Sequence, residues 1–160
     1  MFRTIFYILI LTALLSACGP LLPESILQAT PQATSSGPLD LGQTWNIKMH
    51  HSGGIMGLSR SIEISADGKF TVTDERTDQT VEGQLSSGES TQLRKLVTTA
   101  KITPVAQPDQ TGCADCFVYA LEISGNGKPF TAELNDITLP ESGLESLVLF
   151  LRDLMDKSTT

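Results

Sequence analysis

The chain has 160 residues, 40% of them hydrophobic, with 11 basic residues against 18 acidic ones and a formal charge of −7. That length accommodates one ordinary domain with appendages rather than two full domains, and the hydrophobic share excludes a chain disordered throughout. The acidic balance counts against a nucleic-acid partner, for which a basic stripe is expected, and no repeat at a solenoid or propeller period is present.

The chain begins as an export signal. Arg3 supplies a positive charge, residues 5–15 form an almost unbroken apolar run, and Leu15-Ser16-Ala17-Cys18 closes the segment. A charged start, a short apolar core and a small-residue cleavage site describe a secretory signal over residues 1–17. The run is shorter than the roughly 20 apolar residues that a membrane helix needs. Its last four residues match the bacterial lipobox, which implies diacylation of the Cys18 thiol and cleavage just before it. A plain signal peptide or a short anchor that merely contains a cysteine is the alternative. Several acyl chains, each stabilising membrane attachment by about 0.8 kcal/mol per buried CH₂, would hold the mature protein durably on a bilayer. Gly19 is not the aspartate associated with inner-membrane retention. The expected location is therefore lipid-anchored and extracytoplasmic, at the cell membrane or the outer membrane.

Residues 18–39 read as the lipidated cysteine and a tether. Pro20, Pro23, Pro31 and Pro38 interrupt any helical or strand pattern, and Ser35-Ser36-Gly37 adds flexibility. As a coil of about 20 residues such a segment spans on the order of 25 Å. An ordered extension packed on the domain is the other reading.

Residues 40–160 read as one domain. Trp45, Ile47 and Met49 alternate with polar residues, as do Ile62 and Ile64, then Phe70 and Val72, with Asp67-Gly68 as a hairpin signal between the last two runs. Val81 and Leu85 make a weaker fourth strand. Helical spacing follows in Leu93, Leu96, Val97 and Ala100, opened by a Ser86/Glu89 capping box. Phe117, Tyr119, Leu121 and Ile123 form the strongest strand, and Asn126-Gly127 turns it into Phe130, Ala132 and Leu134. A second helical stripe runs through Leu144, Leu147, Val148, Leu151, Leu154 and Met155, where Ser142 and Glu145 fit another capping box. The expected fold is α+β: a single antiparallel β-sheet, wet on one face, with two amphipathic helices packed on the other in the order β-β-β-β-α-β-β-α.

Chemistry-bearing residues are few. Once Cys18 is lipidated, Cys113 and Cys116 are the remaining cysteines, and outside the cytoplasm a disulfide is their expected state. They lead into a strand rather than opening a helix, the wrong setting for a thioredoxin-like centre. Zinc would need two further ligands, and His50 and His51 lie more than sixty residues away and point to opposite faces of one strand. Reduced thiols and redox or metal chemistry stay open beside the structural disulfide. A surface position is the expected reading of the histidines, His50 on the wet face. There is no G-x-S-x-G elbow and no obvious carboxylate pair, so no catalytic residue, metal or cofactor is assigned and the chain does not read as an enzyme. The segment Ser52-Gly53-Gly54-Ile55-Met56-Gly57-Leu58-Ser59-Arg60 remains. It reads either as a glycine-rich hairpin bend or as an apolar binding loop projecting from a rigid sheet.

The Gly53-Gly54-x-x-Gly57-Leu58-x-Arg60 segment between two strands resembles the emfourin family, small bacterial inhibitors of protealysin and other thermolysin-like metalloproteases. The helix of Leu93 to Ala100, the aromatic strand Phe117-x-Tyr119-x-Leu121 and the closing leucine-rich helix fit as well, covering roughly residues 45–156. Ile55 departs from the pattern, which has an aromatic residue after the double glycine. The resemblance implies an inhibitory loop of Gly53, Gly54, Ile55, Met56, Gly57 and Leu58, with a thermolysin-like metalloprotease as partner beside the lipid bilayer at Cys18. The competing expectation is a non-inhibitory envelope binding or assembly module.

Overall fold

A computed structural model describes residues 39, 41–126 and 129–159. The expected signal peptide of residues 1–17, the expected lipidation site Cys18, the expected tether up to residue 38 and Gly127 of the Asn126-Gly127 turn lie outside the described residues.

Six strands form one sheet: β1 (Asn46–Gly53), β2 (Leu58–Ser65), β3 (Lys69–Asp74), β4 (Gln79–Gln84), β5 (Phe117–Ser124) and β6 (Phe130–Asn135). Their spatial order is β4-β3-β2-β1-β5-β6, and every neighbouring pair is antiparallel. The first four strands run as a meander. Helix α1 (Ser87–Thr99) and the segment after it then carry the chain back, so that β5 joins the free side of β1. Helix α2 (Glu145–Ser158) closes the domain. This is the α+β arrangement, with the strand and helix order, that the periodicities predict.

Side-chain alternation explains why the sheet has one dry face. Ile47 and Met49 on β1, Ile62 and Ile64 on β2, Val72 on β3, and Tyr119, Leu121 and Ile123 on β5 are all buried. Leu93 and Val97 from α1 and Leu147, Val148, Leu151, Leu154 and Met155 from α2 join them in one cluster. Each fully buried aliphatic or aromatic side chain contributes about 1.5–3 kcal/mol, so this cluster outweighs any single polar contact in the molecule. Between these positions, Asn46, Lys48 and His50 point to the opposite, wet face, where Lys48 lies 3.3 Å from Glu63 on the next strand. Edge strand β4 is covered least, and Val81 is 37% exposed although its register partner Val72 is fully buried. The weak pattern there reflects a strand with a neighbour on one side alone.

The two helices start differently. At α1 the expected capping box forms: Glu89 N–H donates to Ser86 Oγ at 3.2 Å, and Ser86 N–H donates to Glu89 Oε2 at 2.9 Å. The Ser142/Glu145 box does not form. The N-cap of α2 is Leu144, without a side-chain cap, and Glu145 is the first helical residue instead of the third. A short 3-10 turn (Leu139–Glu141) and Gly143 at φ +74° delay the helix start. Ser142 Oγ is used locally, donating to Leu139 O at 2.7 Å and accepting from Leu144 N–H at 3.0 Å. The connection between α1 and β5 is also better tied than a free loop. It holds a 3-10 turn (Pro108–Thr111), Thr103 N–H donates to Ser142 O at 3.0 Å, and Asn135 Nδ2 donates to Thr111 Oγ1 at 2.7 Å.

Candidate binding site at the hairpin end of the sheet

The turn between β1 and β2 is built by glycine. Gly57 N–H donates to Gly54 O at 2.9 Å, leaving Ile55 and Met56 at the tip. Gly53, Gly54 and Gly57 have φ of +97°, +69° and +59°, a region that side chains with a Cβ rarely adopt. Two of them also allow a close approach. A Cβ on Gly53 would stand 2.5 Å from Cys116 O, and one on Gly54 would stand 2.6 Å from Cε1 of Phe117. The hairpin therefore leans on the start of β5. Gly54 N–H donates to Cys116 O at 3.3 Å. Ile55 is 88% exposed and Met56 79%, while Leu58 is half-buried and opposes Gly53 in the strand register. Of the six expected loop residues, Ile55, Met56 and Gly57 are exposed, while Gly53, Gly54 and Leu58 are partly buried and form the support.

Cys113 and Cys116 form a disulfide immediately before β5. The pair and the glycine hairpin, sixty residues apart in the chain, are neighbours in space. No local pattern shows this; it follows from β5 pairing with β1, which sets Phe117 opposite Gly53. Asp136, just beyond β6, completes the arrangement. Its carboxylate accepts from Phe117 N–H at 2.8 Å and from Tyr119 Oη–H at 3.0 Å. Burial, followed by the hydrogen bond to Asp136, raises the Tyr119 pKa.

His51 does not sit at the surface. It is 3% exposed, stacked on Tyr119 with ring centroids 4.8 Å apart and edge-on to Phe117 at 4.9 Å. Neither ring nitrogen has a hydrogen-bond partner. Burial first, then the positive charges of Arg60 and Arg152, lower its pKa from 6.5 to about 4, with Asp156 and Asp136 acting the other way. The ring is thus a neutral aromatic plug beneath the hairpin. Arg60 is held nearby, Nη2 donating to Asp156 Oδ1 on α2 at 2.8 Å, with 12% of its side chain exposed. That contact ties the first half of β2 to the closing helix. Strand parity puts His51 on the dry face, and that signal is present in the alternation of Trp45, Ile47 and Met49.

His50 lies on the wet face as expected, with partners the sequence did not disclose. Its Nε2 is 3.1 Å from Ser59 Oγ and 3.2 Å from Glu75 Oε2, while Ser59 Oγ–H donates to Glu75 Oε2 at 2.7 Å. That serine hydrogen bond is the main cause of a lowered Glu75 pKa. The geometry is not that of a nucleophile–base–acid relay. Both oxygens approach the same histidine nitrogen, and the serine proton is directed to the carboxylate instead of the imidazole. Among the described residues no group of three or more His, Cys, Asp or Glu side chains is placed to hold a metal ion.

A second feature is a depression of about 440 Å³ on the wet face, lined by Lys48, His50, Ser61, Ala120, Glu122 and Glu133 among others. It lies between the strands' polar side chains and is separate from the hairpin tip. No helix among the described residues is long and apolar enough to cross a membrane. No protein-family model matches the chain, and no curated protein matches it either.

Proposed function

We propose that residues 40–160 form a proteinaceous inhibitor of thermolysin-like metalloproteases, held at a bacterial membrane through a lipid on Cys18 and acting without a cofactor or catalytic group. The observation that carries this reading is the 53–58 hairpin. It places Ile55 and Met56 almost fully in solvent on a backbone braced by Gly54 N–H to Cys116 O. Contiguous exposed apolar surface marks contact sites, and Ile55 and Met56 are adjacent at the tip. A braced loop loses little entropy on docking, so it binds tightly while remaining a poor substrate. Thermolysin-like clefts take extended chains and favour a large apolar side chain just after the cleaved bond. Ile55 or Met56 supplies that group, and the glycine backbone allows the close approach of strand addition.

A panel of thermolysin-like proteases, titrated with the protein, tests the reading. Stoichiometric inhibition that Ile55→Asp weakens is the expected result, because a carboxylate placed in an apolar pocket has no partner there. Absence of inhibition of every member would overturn it and favour a non-inhibitory envelope module. The 440 Å³ depression on the wet face is the observation behind that second reading.

A further inference from the structure

Among the described residues, four large hydrophobic side chains are exposed: Ile55, Met56, Val81 and Ile137. The strand registers place three of them at the same end of the sheet. Gly53 closes β1 opposite Phe117, the first residue of β5, and Val118 opposes Asn135, the last residue of β6. Ile137 follows Asn135 by two residues, so it emerges where the 53–58 hairpin emerges, with β5 between them. Strands are spaced about 4.8 Å apart, which puts β6 roughly 10 Å from β1. The Cys113–Cys116 turn stands at the head of β5, the strand between them.

The three turns are joined by hydrogen bonds, one between backbones and one from a backbone N–H to the Asp136 carboxylate. Gly54 N–H donates to Cys116 O, and Phe117 N–H donates to Asp136, the residue just before Ile137. Ile137 is itself held in place from beneath. The buried Asn135 accepts the Ile137 and Thr138 N–H groups on Oδ1, each at 3.1 Å, while its Nδ2 donates to Thr111. The side chain is therefore 54% exposed from a fixed turn. On the other side of the hairpin the β3–β4 turn carries Asp74, Glu75, Arg76, Thr77 and Asp78, with no apolar side chain.

Stable interfaces bury on the order of 800 Å² on each partner, with an apolar centre and a polar rim. A four-residue tip containing two glycines cannot supply that area alone, so a partner seated on Ile55 and Met56 must reach further. The apolar direction is toward β6. We infer that Ile137 is a second anchor of the inhibitory contact, so that the protease footprint runs from Ile55 across the Cys113–Cys116 turn to Ile137 and leaves the β3–β4 turn at its rim. This rests on the reading that the hairpin end docks a thermolysin-like protease.

Inhibition constants measured with the full-length protein test it, using Ile137→Asp, the milder Ile137→Ala, Ile55→Asp, and Val81→Asp as a control on edge strand β4, at the opposite side of the sheet from β6. Circular dichroism and thermal unfolding of each variant accompany the assay. The expected result is a loss of at least about tenfold for Ile137→Asp and a smaller loss for Ile137→Ala, with Val81→Asp close to wild type. Should Ile137→Asp not fold, the alanine variant decides. Wild-type potency in folded Ile137 variants alongside a weakened Ile55→Asp overturns the second anchor while the inhibitor reading stands. A wild-type protein that inhibits no protease of the panel removes both.

Discussion

His51 gives the domain a specific acid sensitivity. It is packed between Phe117 and Tyr119 with no hydrogen bond to either ring nitrogen, and Arg60 on β2 and Arg152 on α2 oppose a positive charge there more than Asp136 and Asp156 favour it. Its pKa is about 4 in the folded protein against 6.5 for an unperturbed histidine. On acidification the unfolded chain takes up the proton first. The contribution of the neutral ring is whole above pH 6.5 and is lost progressively as pH falls toward 4. With those two values the loss at pH 5 is about 2 kcal/mol, and the full difference below pH 4 is about 3 kcal/mol. His51→Phe keeps an aromatic ring in the stack and removes the titration. Its stability at pH 7.5 will be offset by whatever the phenyl ring costs in fit, but its pH slope will differ. Urea unfolding at pH 7.5, 6 and 5 should show the wild type losing about 2 kcal/mol more than the variant across that range. The exposed carboxylates whose pKa values are lowered, Asp67, Glu75 and Glu89, titrate in both proteins and cancel in the comparison. Parallel pH dependence of the two proteins between pH 7.5 and 5 would refute the buried, unpartnered imidazole.

Three further outcomes are expected. Cys18→Ser should leave an unlipidated precursor that the lipoprotein signal peptidase does not process; normal maturation and membrane partitioning of that variant would sink the anchor. Replacing Cys113 and Cys116 together with serine should cost about 2 kcal/mol from loop-closure entropy alone, read by denaturant unfolding, and mass spectrometry finding two free thiols in protein from the envelope would reject the disulfide. Gly54→Val should weaken inhibition and lower the melting temperature together, since its φ of +69° and the Phe117 ring both exclude a side chain; an undisturbed melting curve would contradict that geometry.

The period-two runs made the sheet legible because its two faces meet such different surroundings. Ile47 and Met49 are at most 1% exposed while Lys48 between them is exposed on the opposite face, so a slip of one residue would invert every strand. The Ser86/Glu89 box was legible for a similar reason: the two side chains cap a helix end that nothing else covers. The Ser142/Glu145 pair has the same spacing and fails because Gly143 turns the chain between them and a 3-10 turn already uses the serine hydroxyl. Spacing alone does not carry that information. Ser142 is 1% exposed, and its surroundings, not its offset from Glu145, decide its partner.

The hairpin end of the sheet was legible in its parts but not in their assembly. Glycine, disulfide and isolated isoleucine each have local signatures, yet their adjacency depends on which free edge β5 joins after α1. Had β5 added beyond β4, Phe117 would lie far from Gly53, and the hairpin tip would lack the Cys116 carbonyl and the aromatic ring beneath Gly54. Pairing with β1 instead buries β1 between two neighbours. The same pairing stacks His51 on Tyr119 and brings the disulfide turn under the glycine hairpin. One choice of strand partner thus sets both the enclosure of β1 in the core and the bracing of the exposed apolar hairpin tip. Changes at Phe117 should therefore reach both. Phe117→Ala removes the ring that supports Gly54 and one wall of the His51 site, at a cost of up to about 3–5 kcal/mol for a fully buried phenyl and less for this half-buried one. It should lower stability and inhibition together, whereas Ile55→Asp should lower inhibition alone. Equal melting temperatures for Phe117→Ala and the wild type would mean that the hairpin and the core are not coupled through this ring.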